Sequence, residues 1–234
     1  MYQEFKLPFW CQTRPETFAP DRQGHRKLQL LMNAGMHWMS LGLEHGNEPF
    51  RTEVVDRPYG NQLIVDSIQV ARDVGLNYTV NNIIGFPLET RELVFDTIRL
   101  NRLIHPDPKK SNFSCSTFMP FTGTRLREVA IKNGFMPADY ICPSNSARSI
   151  LTMPFPYLQI EDIHTLQRRF AMYVRFPESE WSRIRRSEEP TAAGEQLYQE
   201  LKREYKERFL DQPETRIDRL PDPSRPPNQS VSLM

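Results

Sequence analysis

A chain of 234 residues with 38% hydrophobic and 11% aromatic content can bury one core of ordinary size, and is too long to need disulfide or metal staples. Thirty Lys and Arg against 29 Asp and Glu leave a formal charge of +1, so no global field recruits nucleic acid or an anionic membrane. Cys11, Cys115 and Cys142 are odd in number and far apart, no apolar run approaches about 18 residues, and Met1–Lys6 is no signal peptide; these features predict a soluble, reduced, cytoplasmic protein.

In chain order, Glu4–Cys11 is a short apolar strand candidate, broken at Thr13-Arg14-Pro15 before a helix over Arg22–Ala34 that Gly35 closes. Met36–Leu43 is a second apolar strand, ending at Glu44-His45-Gly46, and a polar loop leads to a helix over Asn61–Val74 closed by Gly75. The stretch Leu76–Thr90 supplies a third unit. Tyr78, Val80, Ile83 and Ile84 lie in a run too apolar to have one wet face, Gly85 ends it, and Pro87 and Thr90 start the helix Arg91–Ile104. Asn112–Met119 with the helix Thr124–Asn133 and Gly134 makes the fourth. This βα alternation, with strand starts recurring about every 33 to 40 residues, predicts a parallel α/β sheet, wound either as a barrel or as an open doubly wound sheet.

Beyond Phe135 the pattern lapses into a loop, Met136–Pro156, rich in Pro, Ser and Asn. Two amphipathic helices follow, Gln159–Arg175 and Gly194–Leu210, the second expected to dock within the chain; the Pro-rich end from Pro213 reads as disordered. The organisation is therefore residues 1–135 as the βα part, 136–212 as loop and helical extension, and 213–234 as tail.

No phosphate-binding, dinucleotide, nucleophile-elbow, zincin or CxxC motif is present. His25, His37, His105 and His164 share no metal-ligand spacing, and Cys11 and Cys115 read as small buried apolar groups. What remains lies at strand ends. Glu44 and His45 end the second strand, where α/β enzymes bind ligands; Arg14 ends the first and can grip a carboxylate or phosphate; Gly85, at the end of the third, lets a ligand approach the backbone.

The succession PFWCQTRPETF (Pro8–Phe18), LMNAGMHWMSLGLEHG (Leu31–Gly46), NNIIGFPLET (Asn81–Thr90) and FMPFTGTRLREVAIKNG (Phe118–Gly134) closely resembles the second half of the radical S-adenosylmethionine core domain, nearest to members that also carry a cobalamin-binding domain. The resemblance covers about Tyr2–Phe135. It implies a partial (β/α) barrel whose four units are the family's third to sixth, with S-adenosylmethionine as cofactor and cobalamin as an open question. It implies a cofactor contact for the acidic residue Glu44, backbone contact with the adenine at Asn82, Ile83 and Gly85, and a rim closing the adenine pocket at Met119 and Pro120. Arg14 and Arg57 match polar positions facing the cavity and following the fourth strand.

The family's CxxxCxxC, which holds its [4Fe–4S] cluster, is absent from the sequence, and the three cysteines present fall on different units. Two classes of function follow. One is the S-adenosylmethionine-binding half of a radical enzyme for methyl transfer or rearrangement of an unnamed substrate, working with an upstream half or companion chain that carries the thiolates. The other is a non-catalytic partial-barrel interaction module. On either reading the first strand has an apolar edge that associates unless the helices over Gln159–Leu210 cover it.

Overall fold

The computed structural model describes residues 7–104, 111–142 and 148–210. Four strands, β1 (Phe9–Thr13), β2 (Met36–Glu44), β3 (Asn77–Ile84) and β4 (Ser111–Thr117), form one sheet, all parallel and in the order β1-β2-β3-β4. A doubly wound sheet reverses its strand order at a switch point; an order that follows the sequence throughout is that of a barrel wall. Between the strands lie α1 (Gly24–Asn33), the short α2 (Glu48–Glu53), α3 (Asn61–Asp73) and α4 (Arg91–Ile104); α5 (Arg125–Lys132) follows β4. Gly35, Gly75 and Gly134 each follow their helix with φ of +114°, +74° and +70°, the left-handed exit that a residue without Cβ makes at little cost.

One face of the sheet holds the core. Met39, Leu41 and Leu43 of β2 and Tyr78 and Val80 of β3 pack with Leu28 of α1, Ile64 and Ile68 of α3, and Leu100 and Ile104 of α4. Each such side chain contributes about 1.5–3 kcal/mol relative to exposure. The other face is polar. Trp38 Nε1 donates to Thr79 Oγ1 at 2.9 Å, Asn81 Nδ2 to Ser40 Oγ at 2.8 Å, and Ser114 Oγ to Asn81 Oδ1 at 2.9 Å, a row of bonds running from β2 across β3 to β4. The expectation that the third strand lacks a wet face is thus corrected: β3 alternates strictly between buried and half-buried residues, because every second side chain meets this polar face.

Several boundaries shift for local reasons. β1 starts at Phe9, after Pro8, which has no N–H for a ladder, and runs to Thr13; residues 4–6 lie outside the described residues. α1 begins at Gly24 because a 3₁₀ turn at Pro20–Arg22 and Gln23, at φ +59°, intervene. The polar loop after β2 contains α2, capped by the Asn47 side chain, which accepts from Phe50 N–H at 2.9 Å. The tail at 213–234 and His105 lie outside the described residues.

The C-terminal extension comprises α6 (Ile160–Arg175), α7 (Trp181–Arg186) and α8 (Ala192–Phe209). It covers the β4 side of the sheet: Gln167 Nε2 donates to Cys115 O at 3.3 Å and Arg175 Nη2 to Ser111 O at 3.4 Å, so side chains of α6 engage carbonyls of β4. α8 docks within the chain through buried Leu201 and Tyr198, the latter under the guanidinium groups of Arg168 and Arg169. None of the described helices is long and apolar enough to cross a membrane.

The extension is tied to the barrel wall by Arg102 of α4, whose Nη1 donates to Tyr173 O, Val174 O and Phe176 O at 3.0, 2.9 and 2.6 Å, serving the carbonyls that the end of α6 leaves over. Arg102→Met keeps the apolar stem and removes these donors. It is expected to lower unfolding free energy by about 1–3 kcal/mol, read as a lower denaturation midpoint; an unchanged midpoint would show that water serves these carbonyls equally well.

Candidate functional site

The carboxyl end of β2 carries an unusual turn. His45 N–H donates to Leu43 O at 2.9 Å, closing a three-residue turn centred on Glu44, whose φ is +66°. The pairing with β3 slips at the same place, Gly42 opposing Asn81 and Glu44 opposing Asn82, so Leu43 is an extra residue in the strand. Turns of this kind are rare for residues other than glycine and cluster at functional sites. The turn folds the glutamate back along its own strand: a Cβ on Gly42 would lie 2.5 Å from Glu44 Oε1. Gly42 is therefore a cradle for that carboxylate, and it stands beside Asn81 on the polar face of the sheet.

Charge and burial around Glu44 oppose each other. Burial pushes its carboxyl above the usual range, and the guanidinium groups of Arg57 and Arg14 act in the opposite direction. Arg14, just past β1, is exposed and pairs through Nε with Glu16 Oε1 at 2.8 Å. Tyr59 donates from its hydroxyl to Gly42 O at 3.2 Å; burial first, then the nearby Glu16 carboxylate, push its phenol up to about 12, so it stays a donor at neutral pH. Glu44, Arg14, Glu16, Arg57 and Tyr59 thus form one polar group at the ends of β1 and β2, suited to a ligand carrying both charges and hydroxyls.

The segment that supplies Arg57 and Tyr59 is firmly held. Arg51 is fully buried and donates to His45 O and Asn61 Oδ1, both at 2.8 Å, and to Tyr59 O, with its guanidinium over the Tyr59 ring. Gly46 lies against α4 so closely that a Cβ would come within 2.4 Å of Thr97 Cα, and its N–H donates to Thr97 Oγ1 at 2.8 Å. Behind the turn His45, also fully buried, pairs through Nε2 with Glu89 Oε1 at 3.0 Å, and Glu89 Oε2 accepts from the N–H groups of Gly85 and Phe86.

The other residues singled out from the sequence fall as follows. The Asn82 side chain is fully buried and bonded in both directions to Asn101, with a further bond to Ser114 O at 2.9 Å, so backbone is all it can offer a ligand. Ile83 is half-buried on the open face of β3, one strand from Glu44. Met119 and Pro120 lie just past β4, two strands from Glu44, where Pro120 O accepts from Arg127 at 3.1 Å. Gly85 has a φ of +84°, which favours glycine, and the space beside its Cα belongs to the core, since a Cβ would meet Ile163 of α6 at 3.0–3.5 Å. A ligand does not approach the chain from that side.

Sequence reasoning marked Gly42 only as part of the Gly42–Glu44 element and gave no role to Glu16, Arg51, Tyr59 or Glu89, whose contacts are made across the fold. Cys11 is half-buried beside Met36 and burial raises the Cys115 thiol strongly, while Cys142 lies in a loop. Among the described residues no group of three His, Cys, Asp or Glu side chains could hold a metal ion. A cavity of about 440 Å³ lies behind the α2 loop, lined by Asn47, Glu48, Asp96, Arg99 and neighbours, and includes none of the group around Glu44.

Against known proteins, residues 8–100 match the model of the Radical SAM superfamily. An uncharacterized methyltransferase of Pyrococcus horikoshii is 33% identical over 106 residues, which is 45% of this chain and 22% of that protein. The radical S-adenosylmethionine methyltransferase TsrM of Kitasatospora setae, solved with cobalamin and a [4Fe–4S] cluster bound, superposes with a TM-score of 0.45 at 14% identity, over 85% of this chain and 45% of that one. The chain thus spans about a fifth of the methyltransferase's length and under half of TsrM's. The segment that matches the Radical SAM superfamily model runs from β1 into α4 and contains Arg14, Glu16, Gly42, Glu44, Arg57 and Tyr59.

Proposed function

We propose that this chain provides the S-adenosylmethionine-contacting part of a radical-type methyl-transferring enzyme, acting on a substrate that remains unnamed. The observation that carries the reading is the Glu44 carboxylate folded over Gly42 at the carboxyl end of a parallel strand, with Arg14 and Arg57 acting on it. The match of residues 8–100 to the Radical SAM model and the likeness to a methyltransferase support the reaction class.

The residues fit S-adenosylmethionine in part. Glu44 can accept from ribose hydroxyls or from the methionine ammonium, Arg57 or Arg14 can meet the methionine carboxylate, and Ile83 offers an apolar surface to the adenine. When bound, the cofactor supplies a transferable methyl group. The residues do not fit a [4Fe–4S] cluster. Cys11 and Cys115 belong to β1 and β4, with two strands between them, and Cys142 is in the loop after α5. We assign no step to a cluster in this chain; on this reading a companion part carrying CxxxCxxC supplies it. The same mismatch favours the second reading, a partial-barrel binding module without catalysis of its own.

Two measurements decide between these. Reconstituted anaerobically with iron and sulfide, the chain alone is expected to retain no stoichiometric cluster; about four irons per chain would contradict the assignment. In calorimetry the chain alone is expected to bind S-adenosylmethionine at a Kd nearer millimolar than micromolar, a difference of about 4 kcal/mol. Glu44→Ala and Gly42→Val, the second filling the cradle, should each weaken binding about tenfold, or about 1.4 kcal/mol. Gly85→Val is no test of the pocket, since it drives a branched side chain into Ile163 and should lower thermal stability instead. Equal affinity in wild type, Glu44→Ala and Gly42→Val would move the assignment to the interaction module.

A further inference from the structure

We propose that His45 and Glu89 are positioning residues: they hold the strained turn that aims the Glu44 carboxylate across Gly42. The proposal rests on the assignment of Glu44 as a ligand contact, but its central claim, that the pair holds the turn, is testable without a ligand. Glu44 occupies a left-handed conformation that glycine would adopt freely, and the turn is closed by the His45 N–H bond to Leu43 O. Strain of this sort persists only where the surroundings over-determine it.

The surroundings here converge on His45. Its ring Nδ1 accepts from Asn47 N–H at 3.1 Å, which puts the ring proton on Nε2, donated to Glu89 at 3.0 Å. Its carbonyl accepts from Arg51, and its ring lies 4.5 Å from that of Phe50 and 6.2 Å, edge-on, from that of Phe86. Glu89 is fixed in turn by the N–H groups of Gly85 and Phe86. Both side chains are 0% exposed, so neither reaches a ligand, and any influence on binding passes through Glu44. The pair joins residues 44 positions apart in sequence and locks the end of β2 to the turn after β3.

The test is amide hydrogen exchange on the full chain, following the His45 N–H that closes the turn. Glu89→Gln puts an amide N–H₂ or a single carbonyl where the carboxylate took three donors, and should raise His45 exchange at least tenfold while Val80, in the middle of β3, keeps its rate. In Glu44→Gly/Glu89→Gln the rate should return to within threefold of wild type, because glycine needs no clamp. His45→Gln, which keeps a donor within reach of Glu89, should protect residue 45 to within threefold of wild type, and His45→Ala should not. Should Glu89→Gln fail to fold, the His45 pair decides. An unmoved His45 amide in Glu89→Gln, or equal loss with glycine at 44, or equal exchange in His45→Gln and His45→Ala, overturns the proposal.

Affinity for S-adenosylmethionine adds a readout that a purely structural pair would not move. His45→Ala and Glu44→Ala should each weaken binding about tenfold, and the double variant no further. Additive losses would mean that His45 acts apart from Glu44 and would also overturn the proposal. Absence of binding in the wild type would remove the cofactor assignment and leave the exchange arm to decide whether the pair holds the turn.

Discussion

Burying a carboxylate costs far more than it returns unless its oxygens are met, and Glu89 shows how the chain deals with that cost. At 0% exposure it accepts from His45 Nε2 and from the N–H groups of Gly85 and Phe86, while its own carbonyl takes the Leu158 N–H at 2.9 Å just ahead of α6. Three segments distant in sequence, the end of β2, the turn after β3 and the approach to α6, are thereby referred to one residue, the first two through its side chain and the third through its backbone. Moving either of the first two leaves a buried carboxylate oxygen short of a donor. The aromatic cluster of Phe50, Phe86 and Phe118 around it excludes the water that would otherwise relieve the shortage.

Around that fixed point the two glycines have opposite uses. Gly42 leaves room on the open face, and a neighbouring carboxylate fills it; Gly85 leaves room on the core side, and Ile163 fills it. The same residue type at the ends of adjacent strands thus serves presentation in one case and packing in the other. The difference lies in which face of the sheet each Cα hydrogen meets, and strand register sets it.

The sequence made the modules legible because their signals are local: apolar periodicity, a glycine past each helix, prolines at entries. Strand order was not legible from these local signals, since it depends on which strands pair across intervening helices; the family resemblance alone implied the consecutive order of a partial barrel. Glu44 stands out by its place at a strand end and Arg57 only through the family resemblance, whereas the contacts of Tyr59 and Arg51 arise only when the α2 loop folds back over β2. The partner of Glu89 stands 44 residues earlier, and Ile163, which packs beside Gly85, arrives from a helix 78 positions later, so neither contact is written in the local sequence. In β3 the apolar count masked a period of two, in which Thr79 and Asn81 alternate with Tyr78 and Val80.

The polar face of the sheet has a consequence for how anything could rest on it. Ser40, Asn81, Ser114, Trp38 and Thr79 already satisfy one another, so the surface is wettable yet has little left to give. A molecule lying there would strand few donors and gain few, sliding over it at small energetic cost. Such a surface is a floor rather than a lock. On the proposed reading, discrimination between one occupant and another would fall to the charged rim at Arg14, Glu16, Glu44 and Arg57, and a change of preferred guest would be made by altering that rim without disturbing the sheet beneath.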